Sequence, residues 1–192
     1  MAKVQLTLTG TSPLLMHNAR LSDPFDEVVR EMKAISGKRK KTDEDHLELA
    51  RLEFAGGLYH DADLGPYIPG ENIQRCIQEA AKLTREGKQV ERGMLVLTDV
   101  NPLIYRGPRD ITTMWEDKNF VLRKSVKVTT SRIIRTRPMF TEWQADCEIQ
   151  IDTSMLEMKD VQRFADAAGS FVGIGDWRPR YGRFTGKVKA IK

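Results

Sequence analysis

Residues 143–184 read WQADCEIQIDTSMLEMKDVQRFADAAGSFVGIGDWRPRYGRF, and their reading decides the fold. Trp143, Ala145, Cys147, Ile149 and Ile151 alternate with Gln144, Asp146, Glu148 and Gln150, the period-two pattern of a strand with one face on a core. Ser154-x-x-Glu157 is a capping box. It predicts a helix whose buried face is Met158, Val161, Phe164, Ala165, Ala168 and Val172. The glycine-framed tract GIGDWRPRYG at 173–182 stops that helix. Phe184, Val188 and Ile191 then supply a last strand, which Gly186 interrupts.

Outward from this half, the first strand is equally plain: Val4, Leu6 and Leu8 alternate with polar residues up to Gly10. Ser22-Asp23-Pro24 predicts a helix start, continued by Phe25, Val28, Val29 and Met32. After a charged connector at 37–46, Thr42 caps a second helix through Leu47, Leu49 and Phe54, stopped by Gly56-Gly57. Pro69-Gly70 opens a third, with Ile73, Cys76, Ile77, Ala80 and Ala81 on one face and an end at Gly87. Met94 to Val100 reads as a strand buried on both sides, extended by Leu103 to Tyr105. Residues 106–120 read as a long loop, and 122–138 as an extended stretch expected to form a hairpin with 143–151. The order predicts an α+β protein with a ferredoxin-like (RRM-like) βαββαβ core. The expected organisation is one domain over 1–192, with a helical insertion after the first strand at about 22–65 and a thumb-like loop at about 106–121.

Charged residues make up 30% and hydrophobic residues 40%, the balance of a globular protein with a real core. A net charge of +4 is compatible with a polyanion partner without requiring one. Cys76 and Cys147 lack the spacing of a zinc site and sit on apolar faces, which predicts buried free thiols. The N-terminus is a strand pattern, and no apolar run approaches the ~20 residues of a membrane span. The expectation is a cytoplasmic protein with no cofactor, no metal and no membrane partner.

Three segments in this order carry a family resemblance: TGTSPLLMHN at 9–18, YIPGENIQRCI at 67–77 and GIGDWRPRYGRF at 173–184. Together they resemble the RAMP superfamily, the repeat-associated RNA-binding proteins of CRISPR effector complexes, and among these the backbone subunits. Members carry a glycine-rich loop before the last strand, where this chain has Arg180-Tyr181-Gly182-Arg183. They also carry an Ile-Pro-Gly-Ser-Ser-Leu-Lys-Gly-like helix entry. Ile68-Pro69-Gly70 matches it, whereas Glu71-Asn72-Ile73 and Gln74-Arg75 depart from it. The resemblance implies a single-stranded RNA or DNA partner, head-to-tail self-assembly along the strand and other effector subunits as partners. It also makes the 106–120 loop, with Met114 and Trp115, a thumb that reaches a neighbour.

A phosphate cradle needs close-approaching amides and unusual backbone angles, which Gly173, Gly175 and Gly182 supply. Arg178, Arg180 and Arg183 would neutralise phosphates, and Trp177 or Tyr181 would stack on a base. The same residues read equally as a tight turn, with Trp177 on the core and the arginines solvated. In a regular 122–138 strand, Arg123, Lys127, Arg135 and Arg137 point one way, and Val126, Val128 and Ile134 point to the core. Arg132 breaks this parity and suggests a bulge, while Glu142, Asp146 and Glu148 stand ready to pair across the ladder. Lys38, Arg39, Lys40 and Lys41 form the densest basic run, followed at once by Asp43, Glu44 and Asp45.

Some superfamily members cut RNA with an early-loop acid and a divalent ion, or with a histidine. His17, Asp23 and Asp26 are the candidates here, although a helix cap and a first helical turn also account for the two acids. No phosphate-loop or dinucleotide fingerprint is present. The leading expectation is a non-catalytic single-stranded nucleic-acid-binding module. A metal- or histidine-dependent endoribonuclease and a protein-interaction or inhibitor module of a mobile element stand as alternatives.

Overall fold

The computed structural model describes residues 1–191, Val128 by its backbone alone. In chain order the elements are β1 (Ala2–Gly10), β2 (Leu14–Leu15), α1 (Glu27–Ser36), α2 (Asp43–Gly57), β3 (His60–Asp61), β4 (Gly65–Pro69), α3 (Gly70–Lys82) and α4 (Gly87–Gly93). There follow β5 (Met94–Val96), β6 (Val100–Ile104), α5 (Ile111–Glu116), β7 (Val121–Val128), β8 (Ser131–Phe140), β9 (Gln144–Ile151), α6 (Met158–Ala167) and β10 (Phe184–Ala190). They divide into two compact units: residues 1–14, 60–106 and 141 onward, and residues 15–59 with 107–140.

The first unit is a mixed α+β structure around an antiparallel sheet ordered β10-β1-β9-β6-β4-β3, with β5 also pairing β9. This arrangement is compatible with the expected core. Its cause is the shared alternation of β1 and β9: Val4 faces Ile149, Leu6 faces Cys147 and Leu8 faces Ala145, so one sheet face is apolar throughout. Helices α3 and α6 cover that face with Ile73, Cys76, Ile77, Val161, Phe164 and Ala165. On the open face of these central strands, Thr7 donates to Asp146, and Lys187 and Lys189 of β10 lie opposite Thr7 and Gln5.

Several expectations change here. Residues 121–138 do not pair with β9. Strands β7 and β8 form their own hairpin, and with β2 a separate three-stranded sheet ordered β2-β8-β7. The turn falls at Thr129-Thr130, where Thr129 adopts φ 53°. No glycine or asparagine marks it, and two β-branched residues in a tight turn run against the usual turn chemistry. Helix α1 begins at Glu27, because Asp26 is the residue whose side chain accepts from the Val28 amide. Asp23 instead closes a turn onto the Phe25 amide. In α6 the capping box is Glu157 with Asp160, and Ser154 bonds back to Asp152. Gly87 opens a new short helix, since the chain after α3 turns through Arg85 at φ 66°.

Met94–Val100 is not one doubly buried strand. It breaks between β5 and β6, and Leu95 is exposed. Gly186 does not interrupt β10 but pairs with Leu8, and a Cβ there would press on Ala165 of α6. Thr42 caps α2 as expected, in a capping box with Asp45. Within 106–121, Asp110 accepts from the Thr113 amide and starts α5, which buries Met114 and sets Trp115 against Phe54 with ring centroids 5.6 Å apart. The expected loop thus contains a short helix that packs inside the second unit.

Candidate nucleic-acid interface

Within the first unit the 173–182 loop meets Pro13 of the first segment that carries the resemblance and Cys76 of the second. Gly182 donates its amide to the Pro13 carbonyl at 2.8 Å, and the Ile174 amide donates to the Gly182 carbonyl at 2.9 Å. The Cys76 thiol of α3 donates to the Gly173 carbonyl at 3.1 Å. Gly173 and Gly182 take φ 74° and 72°, and a Cβ on Gly182 would overlap the Ile174 carbonyl oxygen. These two glycines therefore close the base of the loop. The amides of Gly173, Ile174, Tyr181 and Gly182 all donate within the protein, as does that of Arg183, to the Ser12 hydroxyl. The expected phosphate cradle of Gly173 and Gly182 amides is corrected on this ground: their N–H groups already have partners.

What the closed base presents is its tip. Trp177 is half-buried rather than packed in the core, held at φ 51°, and its ring lies 6.1 Å from that of Tyr181. Arg178 and Arg180 are exposed beside them. Among the described residues neither forms an ion pair. The hydrogen bond from Lys82 holds the Glu79 carboxyl of α3 below its ordinary range, and the charges of Arg75 and, least, Arg178 add to it. Arg183 turns the other way and donates to the Ser170 carbonyl. Gly175 takes φ 84° and is half-buried.

The likeness to known proteins is one of fold. The sequence matches no family model and no curated protein. Among solved structures, a chain in the cryo-EM structure of the Type III-B Cmr-beta bound to cognate target RNA aligns over 100% of this chain, with a TM-score of 0.53 and 12% identity. The alignment covers 61% of that chain, so the protein described here spans about three-fifths of its length.

In the second unit the hairpin register rearranges the expected basic face. Lys127 stands opposite Arg132 and Arg123 opposite Thr136, so Arg123, Lys127 and Arg132 share one face. Lys124, Arg135 and Arg137 share the other. The two-residue turn resets the parity, which removes any need for a bulge at Arg132. Ile134 consequently lies on the face of Arg132 and is 56% exposed rather than in the core, and the side chain of Val128 lies outside the described residues. Residues 121–137 contain six cations and no acid. Asp146 and Glu148 are on β9, paired with β1, and do not cross the hairpin ladder.

Arg137 leaves the phosphate-facing set. It is 6% exposed, and its guanidinium donates to Glu53 at 2.6 Å. Glu53, on α2 and equally buried, also accepts from the Thr136 amide at 2.9 Å and lies 3.4 Å from Arg135. Sequence reasoning passed over Glu53 altogether, although an acid among the apolar positions of a helix is the signal of a buried partner. Within the basic run, Lys38 pairs with Asp45 at 2.6 Å and Lys41 donates to the Lys38 carbonyl. Arg39 and Lys40 are exposed, with no ion pair among the described residues.

The nuclease candidates do not converge. Asp26 is bonded by the Val28 amide and, at 2.8 Å, by Arg20, whose hydrogen bond lowers its carboxyl below the ordinary range. Asp23 is engaged in its turn, and His17 is exposed. Among the described residues no group of three or more His, Cys, Asp or Glu could hold a metal ion. Among the described residues no helix is long and apolar enough to cross a membrane.

Proposed function

We propose that this chain binds single-stranded nucleic acid, RNA by preference, on a ferredoxin-like βαββαβ core of the RAMP kind. The observation that carries this reading is the tip of the 173–182 loop, where two exposed arginines, without an ion pair among the described residues, stand next to two half-buried rings. That pairing of phosphate-neutralising and stacking groups is what sequence-tolerant single-strand binding requires. The fold likeness to a chain of an RNA-bound complex supports it. Within the second unit, the acid-free hairpin, through Lys127 and Arg132, and the exposed Arg39 and Lys40 offer phosphate contacts of their own. Affinity then comes from side chains, with Gly173 and Gly182 holding the loop in shape. On a single strand the chain assembles head to tail, and heterologous contacts of that kind make arcs or filaments.

The test is fluorescence anisotropy with a labelled single-stranded RNA across a salt series. Each phosphate contact contributes about −0.7 to the slope of log K against log[salt] for a single strand. Arg178→Ala with Arg180→Ala should flatten the slope by about 1.4, and Trp177→Ala should weaken binding by about 1–3 kcal/mol with the slope unchanged. An RNA affinity indifferent to all three substitutions removes the reading. Electron microscopy with and without RNA tests assembly, and isolated monomers in both would remove that part alone.

A further inference from the structure

The second unit contains a cleft of about 1010 Å³, at the upper end of the ~300–1,000 Å³ range typical of small-molecule sites. Helices α1 and α2 form one wall and strand β8 another, with Arg123 of β7 at its border. Its lining has two characters. Val29, Met32, Leu49 and Ile134 offer apolar surface, and Ile134 leaves more than half of its own exposed. Against this stand five cations, Lys33, Lys41, Arg123, Arg135 and Arg137, and a single acid, Glu53. Both Glu53 oxygens are already engaged by Thr136 and Arg137. Lys33 and Arg123 form no ion pair among the described residues.

These features constrain the occupant. A purely apolar ligand would strip water from the cations and give nothing back, which is costly. A bare phosphate would leave the apolar wall wet and most of the volume unfilled. A folded partner does not enter a space of this size. A flat, weakly polar ring joined to phosphate satisfies both surfaces, with arginine matching phosphate oxygens two at a time.

We propose that this cleft binds a nucleotide, its ring on the Val29–Met32–Leu49 wall and its phosphates at Lys33, Arg123 and Arg135. The nucleotide is either free or a residue of a bound strand, and the chemistry of the site is the same for both. The proposal does not depend on the loop of the first unit.

The experiment uses the full chain and a fluorescently labelled ATP, with inorganic phosphate and a single-stranded 20-mer as competitors. Saturable binding is expected, weakened at least about tenfold in Arg123→Glu and in Lys33→Glu, the scale of one charge-assisted hydrogen bond. Both side chains are exposed, and a thermal melt checks that each variant folds. Arg178→Ala with Arg180→Ala should leave this binding unchanged while weakening RNA, so the two sites fail independently. In that loop variant, displacement of the label by the 20-mer identifies a strand residue as occupant, and displacement only by unlabelled ATP identifies the free nucleotide. Absence of saturation up to about 1 mM, which corresponds to about −4.1 kcal/mol, overturns the proposal. So does equal affinity in the folded charge-reversal variants, or full competition by inorganic phosphate at the concentration of ATP.

Discussion

Glu53→Gln should cost the second unit more than any exposed substitution in this chain. The carboxylate accepts two short hydrogen bonds, from the Thr136 amide at 2.9 Å and from Arg137 at 2.6 Å, with Arg135 more distant at 3.4 Å. Charge-assisted hydrogen bonds contribute about 1.5–3 kcal/mol each, so two amount to roughly 3–6 kcal/mol. The figure of about 3–5 kcal/mol for breaking one partner of a buried ion pair is in agreement. Glutamine keeps one acceptor but turns an N–H₂ toward a guanidinium that is 6% exposed, and the buried Arg137 keeps its bond to the Thr136 carbonyl but loses the Glu53 counter-charge. With a urea dependence of about 2 kcal/mol per molar, the unfolding midpoint should fall by roughly 1.5–2.5 M.

The assay is urea unfolding followed by the fluorescence of Trp115, which lies against Phe54 in this unit, in a chain where Trp143 and Trp177 are replaced by phenylalanine. The same background serves wild type and variant alike. Glu53→Leu with Arg137→Met should recover most of the loss, because a well-packed apolar pair replaces a buried ion pair at little cost. A Glu53→Gln midpoint within about 0.3 M of the parent would refute the reasoning, since it would mean that the Arg137 charge finds water or another partner.

Other outcomes follow from the first unit. Burial pushes both thiols up to about 12, so Cys76 and Cys147 should not react with a disulfide reagent at pH 8 until the chain is unfolded, when both should titrate. Gly182→Ala places a Cβ onto the Ile174 carbonyl at φ 72° and should destabilise the loop by about 1–3 kcal/mol, read as a lower melting temperature together with weaker RNA binding. Hydrogen bonding from Arg163 holds the Glu86 carboxyl at about 2, below its ordinary 4.5. A depressed carboxylate stabilises above its unfolded value, so that contribution is complete above pH 4.5 and disappears as pH falls through about 2. Acid unfolding of Arg163→Ala should converge with that of the parent toward pH 2 and differ from it most above pH 4.5. As befits an exposed pair, the difference there should be no more than about 1 kcal/mol.

Local patterning determined a good deal of this protein. The alternation of Val4, Leu6 and Leu8 and of Ala145, Cys147, Ile149 and Ile151, the apolar stripe from Ile73 to Ala81 and the Thr42 cap each depend on residues within a turn or two of one another. Such contacts are written in sequence spacing. Tertiary structure decided what spacing does not encode. The Thr129-Thr130 turn exists because β7 and β8 pair along their length, and it alone determines which cations share a face. Glu53 meets Arg137 across 84 positions, converting an expected phosphate ligand into a buried counter-charge. The amides of Gly173 and Gly182 looked like a cradle until the Ala168 and Pro13 carbonyls engaged them. A side chain's chemistry is a property of the residue, but whether it is available depends on which distant group reaches it first.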